Sequence, residues 1–173
     1  AMFARDQDRP GVVAHRCGHV AAGHRFAEDP RDLLLELRQP GQANRLAHYL
    51  VVRNGDQTIG YGGLWLMVDE AHITTFAVLP QWRRHGLGGR LMVELMRLAR
   101  ELGARVMTLE VRLSNRPARA LYGRFGFRPV GIRPRYSSYN GEDALIMTTE
   151  ALDSAEMTAR WADMELRYGD NPA

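Results

Sequence analysis

Arg83-Arg84-His85-Gly86-Leu87-Gly88-Gly89 is the segment that most restricts what this chain can become. A β-branched and aromatic stretch, His72 to Leu79, runs through Pro80 into it. On its far side Leu91, Leu95, Leu98, Ala99 and Leu102 recur at the spacing of a core-facing helix. A strand, a glycine-rich turn and a helix in direct succession bring the helix's unsatisfied N–H groups and the positive end of its dipole to the turn. Glycine lets such N–H groups approach an anion closely, and two arginines add positive charge, so the turn suits a pyrophosphate. Two other readings compete. The glycines can merely permit a tight backbone path. They can also begin a dinucleotide fingerprint, G-x-G-x-x-G, with Glu110 near the distance of a ribose-binding acid; here Leu91 stands at the third glycine, and one crossover is too few for a doubly wound sheet. A Walker loop is excluded because all 23 basic residues are arginine and none is lysine. The same absence removes any lysine route to covalent catalysis.

Around this turn the pattern gives an α/β order. Leu33, Leu34 and Leu37 predict a helix from about Pro30 to Arg38, ended by Pro40-Gly41. Tyr49–Val52, Ile59–Val68 and His72–Leu79 read as three antiparallel strands, the first two joined at Asn54-Gly55 and the last two at Asp69-Glu70. The helix after the glycine turn ends near Leu102 with Gly103 as its C-terminal cap. Val106–Val111 is a buried strand. Ser114 or Asn115 caps a second helix through about Phe125, with Pro117 in its first turn and Gly126 as its stop. Strands at about Phe127–Tyr136 and Ala144–Thr148 follow. Residues 153–173 form a tail, helical from Asp153 to Tyr168, polar and expected to pack loosely, whereas residues 1–29 give no clean period. The whole, residues 1–173, reads as one mixed α/β layer domain with a single central crossover.

Composition narrows the class further. A chain of 173 residues buries enough surface to fold without disulfide staples, and Cys17 alone cannot form an internal one, so a reducing cytoplasm is the expected setting. Ala1 to Pro10 is charged and lacks the apolar stretch of a secretory signal. No apolar run reaches membrane-spanning length. The net charge is only +3 and the arginines are scattered, which argues against a nucleic-acid partner. His15, Cys17, His19 and His24 cluster, but their spacing fits no zinc signature, and no metal is expected.

R-x-x-G-x-G between a strand and a helix resembles the GNAT superfamily of N-acetyltransferases. Leu109-Glu110-Val111-Arg112-Leu113-Ser114-Asn115, Ala120-Leu121-Tyr122, Phe125-Gly126-Phe127 and Gly141-Glu142-Asp143-Ala144-Leu145-Ile146-Met147 are similar to the ribosomal-protein-alanine N-acetyltransferases, the RimI group. The resemblance covers about Leu46 to Met147. It implies a mostly antiparallel central sheet splayed in the middle, flanked by helices, with acetyl-CoA entering the gap as acyl donor. It implies that Phe76, Ala77 and Val78 run beside the pantetheine arm. Arg84, His85, Gly86, Leu87, Gly88 and Gly89 would hold the pyrophosphate, and Asn115 would contact the donor near its pantetheine. Glu110 would be the general base, Tyr122 the general acid, and Arg135, Tyr136 and Tyr139 would lie on the acceptor side. The implied acceptor is a protein N-terminal α-amino group, an alanine of a ribosomal protein.

The chemistry asks for those residue types independently. An α-amino group has a pKa near ~8 and must lose a proton before it attacks. A carboxylate at the end of a core strand can take that proton, and a phenol with a pKa near ~10 can protonate the departing thiolate. On spacing alone Glu110 can equally be a strand-end carboxylate paired with an arginine such as Arg112, and Tyr122 a core aromatic. Two departures touch the acceptor side. Residues 15–30 lack the acidic-aromatic-proline-tryptophan segment of the RimI group, and Arg135-Tyr136-Ser137-Ser138-Tyr139 stands where Arg-x-Tyr-Tyr is usual. A small-molecule amine acceptor, and a non-catalytic module that binds coenzyme A, are therefore the alternatives.

Overall fold

The computed structural model describes residues 12–15, 34–38, 46–136 and 141–169. Among them eight strands form one sheet in the order β1-β2-β3-β4-β5-β6-β8-β7. β1 (Val12–His15), β2 (Leu34–Arg38), β3 (Ala47–Asn54), β4 (Gln57–Met67) and β5 (Glu70–Val78) pair antiparallel in succession. A 3₁₀ turn, Pro80–Trp82, leads to α1 (Leu87–Glu101), which crosses over to β6 (Val106–Arg112), and β5 and β6 pair in parallel. α2 (Arg116–Arg124), β7 (Arg128–Arg133) and β8 (Ala144–Thr148) follow, with β8 inserted antiparallel between β6 and β7. α3 (Ala155–Tyr168) closes the described chain. A mixed, mostly antiparallel sheet is the architecture the sequence led us to expect, but the single expected crossover is joined by a second, since β6 and β7 run parallel on either side of β8 and α2 connects them.

Two further expectations are corrected. Leu34–Arg38 is strand β2, paired to β3 from Leu34↔Arg53 to Arg38↔Tyr49, not helix. Three leucines in a row fit either period over so short a run, and the neighbouring strand edge decides in favour of extended backbone. Residues 30–33 of the predicted helix lie outside the described residues. The polar tail, expected to pack loosely, is a helix docked along α1: Met157 and Met164 are buried, Arg100 lies 4.4 Å over the Trp161 ring, and Glu165 binds Arg97 at 2.7 Å. This explains why α1 buries Met92, Val93 and Met96 beyond the expected leucine stripe. One flank of α1 packs on the sheet and another receives α3.

The punctuation was legible. Gly103 and Gly126 take left-handed φ angles of 82° and 88° just past the ends of α1 and α2. Asn115, rather than Ser114, is the N-cap of α2, its Oδ1 accepting from the Ala118 N–H at 3.3 Å. Both hairpin turns sit one residue from where the sequence placed them, at Gly55-Asp56 and Val68-Asp69.

Register assigns the faces of the sheet. A Cβ on Gly62 would come within 2.8 Å of Leu95, so this side of β4 lies against α1. Phe76 pairs with Gly62, and Ile73 with Leu64 and Leu109, so all four look toward α1. Side chains alternate along a strand, so His72, Thr108, Glu110 and Arg112 emerge on the opposite face.

Candidate active site

Parallel pairing of β5 with β6 runs only from Glu70↔Val106 to Ile73↔Leu109. At Thr74 the register with β4 slips: Leu64 opposes Ile73 but Gly63 opposes Thr75, leaving Thr74 as an extra residue. Such a bulge bends its strand, and beyond it β5 leaves β6. The result is a cleft of about 420 Å³ between residues 72–76 of β5 and 109–112 of β6, closed by Asn115, Tyr122 and Tyr136. Leu79 N–H bonds to Ile59 O at 2.9 Å. Antiparallel alternation then turns the N–H groups of Phe76 and Val78 away from β4, toward the side from which β6 has diverged.

Two titratable groups line this cleft from opposite faces of the sheet. Tyr122 reaches it from α2, on the α1 side, with its ring edge-on to Phe76 and Phe127 at 5.9 Å each. It is 7% exposed, and burial pushes its phenol up to about 12. Glu110 enters from β6 on the other face. Arg133 of β7 donates to its Oε1 at 2.5 Å, and the Tyr136 hydroxyl also hydrogen-bonds to it. Burial and the Glu110 charge hold the Tyr136 phenol above its usual value. The ion pair sits beside Arg112, which had been the obvious partner from sequence; pairing instead falls to Arg133, two strands away.

The glycine turn stands at the start of α1. Gly86 is the N-cap at φ 80°, Arg84 is also left-handed at φ 69°, and no side chain caps this end. The N–H groups of Leu87, Gly88 and Gly89 precede the first intrahelical bond, Arg90 N–H to Gly86 O at 3.1 Å, and are free of side-chain competition for an anion. Leu87 buries its side chain in the core, so only its backbone faces the turn, while Arg84 and His85 are exposed. Arg83 folds back and donates through Nε to Val78 O at 3.0 Å, tying the turn to the end of β5.

Of the residues expected from sequence, Phe76, Glu110, Asn115, Tyr122 and Tyr136 line the cleft together. Ala77 and Val78 continue β5 past it, toward the glycine turn. Arg135 does not line it: its backbone, at φ 49°, donates to Asp143 Oδ1 at 2.9 Å, and its side chain is exposed. Tyr139, Cys17, His19 and His24 lie outside the described residues. His15 is on β1, and among the described residues no three His, Cys, Asp or Glu side chains converge on a metal position. The sequence reading missed Arg133, His72 and Thr75. It also missed what the Gly-Glu-Asp string does. Glu142 accepts from Ser114 N–H at 2.7 Å and Asp143 holds Arg135, so the start of β8 braces the loops on both sides of the cleft.

The acetyltransferase (GNAT) family profile matches residues 16–127, more than half of the chain. A Bacillus subtilis (strain 168) protein provisionally named as a ribosomal protein bS18-alanine N-acetyltransferase is 47% identical over 104 residues, 60% of this chain and 69% of that one. The N-alpha-acetyltransferase RimI of Mycobacterium tuberculosis (strain ATCC 25618 / H37Rv) is 33% identical over 144 residues, 81% of this chain and 88% of its own. The crystal structure of the ribosomal-protein-S18-alanine N-acetyltransferase from Escherichia coli superposes with a TM-score of 0.59 at 30% identity, over 65% of this chain and 74% of that chain. The chain belongs to the GNAT acetyltransferase family and is an N-acetyltransferase.

Proposed function

We propose that this enzyme transfers the acetyl group of acetyl-CoA to a protein N-terminal α-amino group, the natural acceptor being the N-terminal alanine of a ribosomal protein. One observation carries the mechanistic part: Glu110 and Tyr122 line the same cleft from opposite faces of the sheet. An amine approaching from the Glu110 face and a thioester lying along the Tyr122 face meet in the gap where β5 has left β6.

The donor's fit rests on backbone groups. The uncapped N-terminus of α1 supplies N–H groups and dipole for the pyrophosphate, with Arg84 and His85 at its rim. The N–H groups of Phe76 and Val78 face the gap, where they can bond the pantetheine arm and polarise the thioester carbonyl. Asn115, committed to capping α2, borders the cleft and can contact the arm there.

Glu110 takes a proton from the arriving ammonium, directly or through water, and the neutral nitrogen attacks the thioester carbon. As the tetrahedral intermediate collapses, the C–S bond breaks and coenzyme A leaves as a thiolate. Tyr122 gives it a proton. A phenol pushed up to about 12 is fully protonated at neutral pH, so the acid is always loaded. Arg133 and Tyr136 hold the Glu110 carboxylate in place, and Tyr136, His72 and Thr75 form the acceptor-side wall. The ribosomal acceptor is supported by the names of the Bacillus and Escherichia relatives.

The test is thiol release from acetyl-CoA with peptides beginning in alanine, with blocked peptides whose only amine is a lysine, and with small amines. The reading expects turnover on free N-terminal peptides. Faster release with small amines would move the acceptor to that class, and no turnover with any N-terminal peptide would sink the proposal.

A further inference from the structure

The C-terminal helix lies beyond the stretch that the family profile matches, residues 16–127, yet its last residue sits against the glycine turn. A Cβ on Gly89 would fall 2.6–2.7 Å from three ring atoms of Tyr168, and one on Gly86 would fall 3.9 Å from it. The ring is thus pressed against the backbone that opens α1. It also stacks on Phe125, fully buried at the end of α2, with ring centroids 6.1 Å apart and planes inclined by 25°. Phe125 is three residues from Tyr122 and accepts no freedom of its own: its N–H bonds to Tyr122 O at 3.0 Å.

The rest of α3 fixes the ring in place. Ser154 caps the helix, its Oγ accepting from Met157 N–H at 3.2 Å. Arg100 covers Trp161, and Arg97 joins Glu165 to Glu94. The contacts step down α1 toward its N-terminus as α3 advances, and Tyr168 is the last step.

We propose that Tyr168 is a positioning residue for the donor site: its ring props the first turn of α1 against α2, so that the N–H groups of residues 87–89 keep one fixed aim at the pyrophosphate. This rests on reading that turn as the pyrophosphate cradle. It gives the absence of a side chain at Gly89 a second cause, since the ring occupies the space a Cβ would need. The effect acts on donor binding and leaves proton abstraction alone, because Glu110 stands on the opposite face of the sheet, while Tyr122 keeps its own edge-on contacts with Phe76 and Phe127.

The test compares two donors, acetyl-CoA and S-acetylpantetheine, which keeps the thioester and lacks the pyrophosphate. Tyr168→Ala should raise KM for acetyl-CoA roughly tenfold, equivalent to about 1.4 kcal/mol, with kcat within about twofold. Its kcat/KM for S-acetylpantetheine should stay at the wild-type value, and Tyr168→Phe should restore acetyl-CoA binding. Gly89→Ala should reproduce the selective loss by colliding with the ring, and adding Tyr168→Ala to it should recover part of the loss. Equal losses on both donors, or an unchanged KM for acetyl-CoA, would overturn the role of Tyr168. A wild-type enzyme that uses the two donors equally well would overturn the cradle itself, and this inference with it.

Discussion

Glu110 and Arg133 are joined across an intervening strand: Arg133 Nη1 donates to Glu110 Oε1 at 2.5 Å although β8 lies between β6 and β7. The carboxylate side is 12% exposed and the guanidinium side 59%. A pair with one partner so open to water contributes little to stability. Its effect is to orient the carboxylate beside the cleft. Arg133→Gln should therefore leave the melting temperature nearly unchanged while lowering kcat by about tenfold, the result expected if the proposed base is held less well in position. Glu110→Gln removes the proposed base and should lower kcat by about 10²–10⁴. Thermal melts and steady-state thiol release on the two variants distinguish orientation from proton transfer; a stability loss in Arg133→Gln that matches its activity loss would refute the assignment.

Tyr122 gives a prediction with a defined pH window. Its phenol is pushed up to about 12 by burial, so it stays protonated throughout the working range. The kcat profile of the wild type should carry no descending limb from this group below about pH 10, and Tyr122→Phe should lower kcat by about 10²–10⁴ without changing that shape. Stability follows the same shift with a sign. Above the unfolded value of 10.0 the unfolded chain loses this proton while the folded chain keeps it, so folding weakens from there up to about pH 12. Tyr122→Phe should remove that part of the alkaline destabilisation in denaturation curves taken at pH 9 and pH 11.

The parts of the fold that sequence made legible are those whose cause is local. Gly103 and Gly126 announce helix ends because φ angles above 80° exclude most other residues. The leucines of α1 announce a buried face by their spacing alone. Leu34–Arg38 was misread because its extended form is imposed by β3, a neighbour brought in from residues 49–53. Arg133 was invisible for a related reason. Arg112 is near Glu110 in sequence, but only the insertion of β8 between β6 and β7 decides which arginine reaches the carboxylate. The docking of α3 had a readable signal, since Met157, Trp161, Met164 and Tyr168 recur at steps of four, three and four. Its destination did not: nothing local says that such a stripe meets α1 at Gly89.

Val68 marks a site where the chain carries strain that a substitution can relieve. It is 95% exposed and takes φ 57° in the turn between β4 and β5. A left-handed conformation costs an L-residue about 1–2 kcal/mol, and a β-branched side chain makes it worse. The turn is held regardless, because Asp69 O accepts from Arg105 N–H at 2.6 Å and so ties it to the start of β6. Val68→Asn keeps that bond and suits the left-handed region, so it should stabilise the protein by roughly 1 kcal/mol. Chemical denaturation checks this, with unchanged kcat expected because Val68 does not line the cleft. A variant no more stable than wild type would mean that the unfolded chain gains as much from the change.

His48 ties stability to acidity through a different element. It lies on β3, 5% exposed, paired with Leu64 on the face that meets α1, and its buried Nδ1 has no hydrogen-bond partner. Burial lowers its pKa below 6.5. In the unfolded chain the imidazole takes up its proton as pH falls through about 6.5, whereas the folded chain resists until the lower folded value is reached. The unfolded state binds more protons across that interval, so stability rises with pH there and is lost on acidification. Replacing the imidazole by a side chain that cannot titrate removes the linkage and also removes the unpaired Nδ1. His48→Leu should therefore gain on the wild type as pH falls from 7.5 to 5, whatever its standing at pH 7.5. Melting temperatures of both proteins measured across that range test the point: a constant difference between them would show that His48 charges as easily in the folded protein as in the unfolded one.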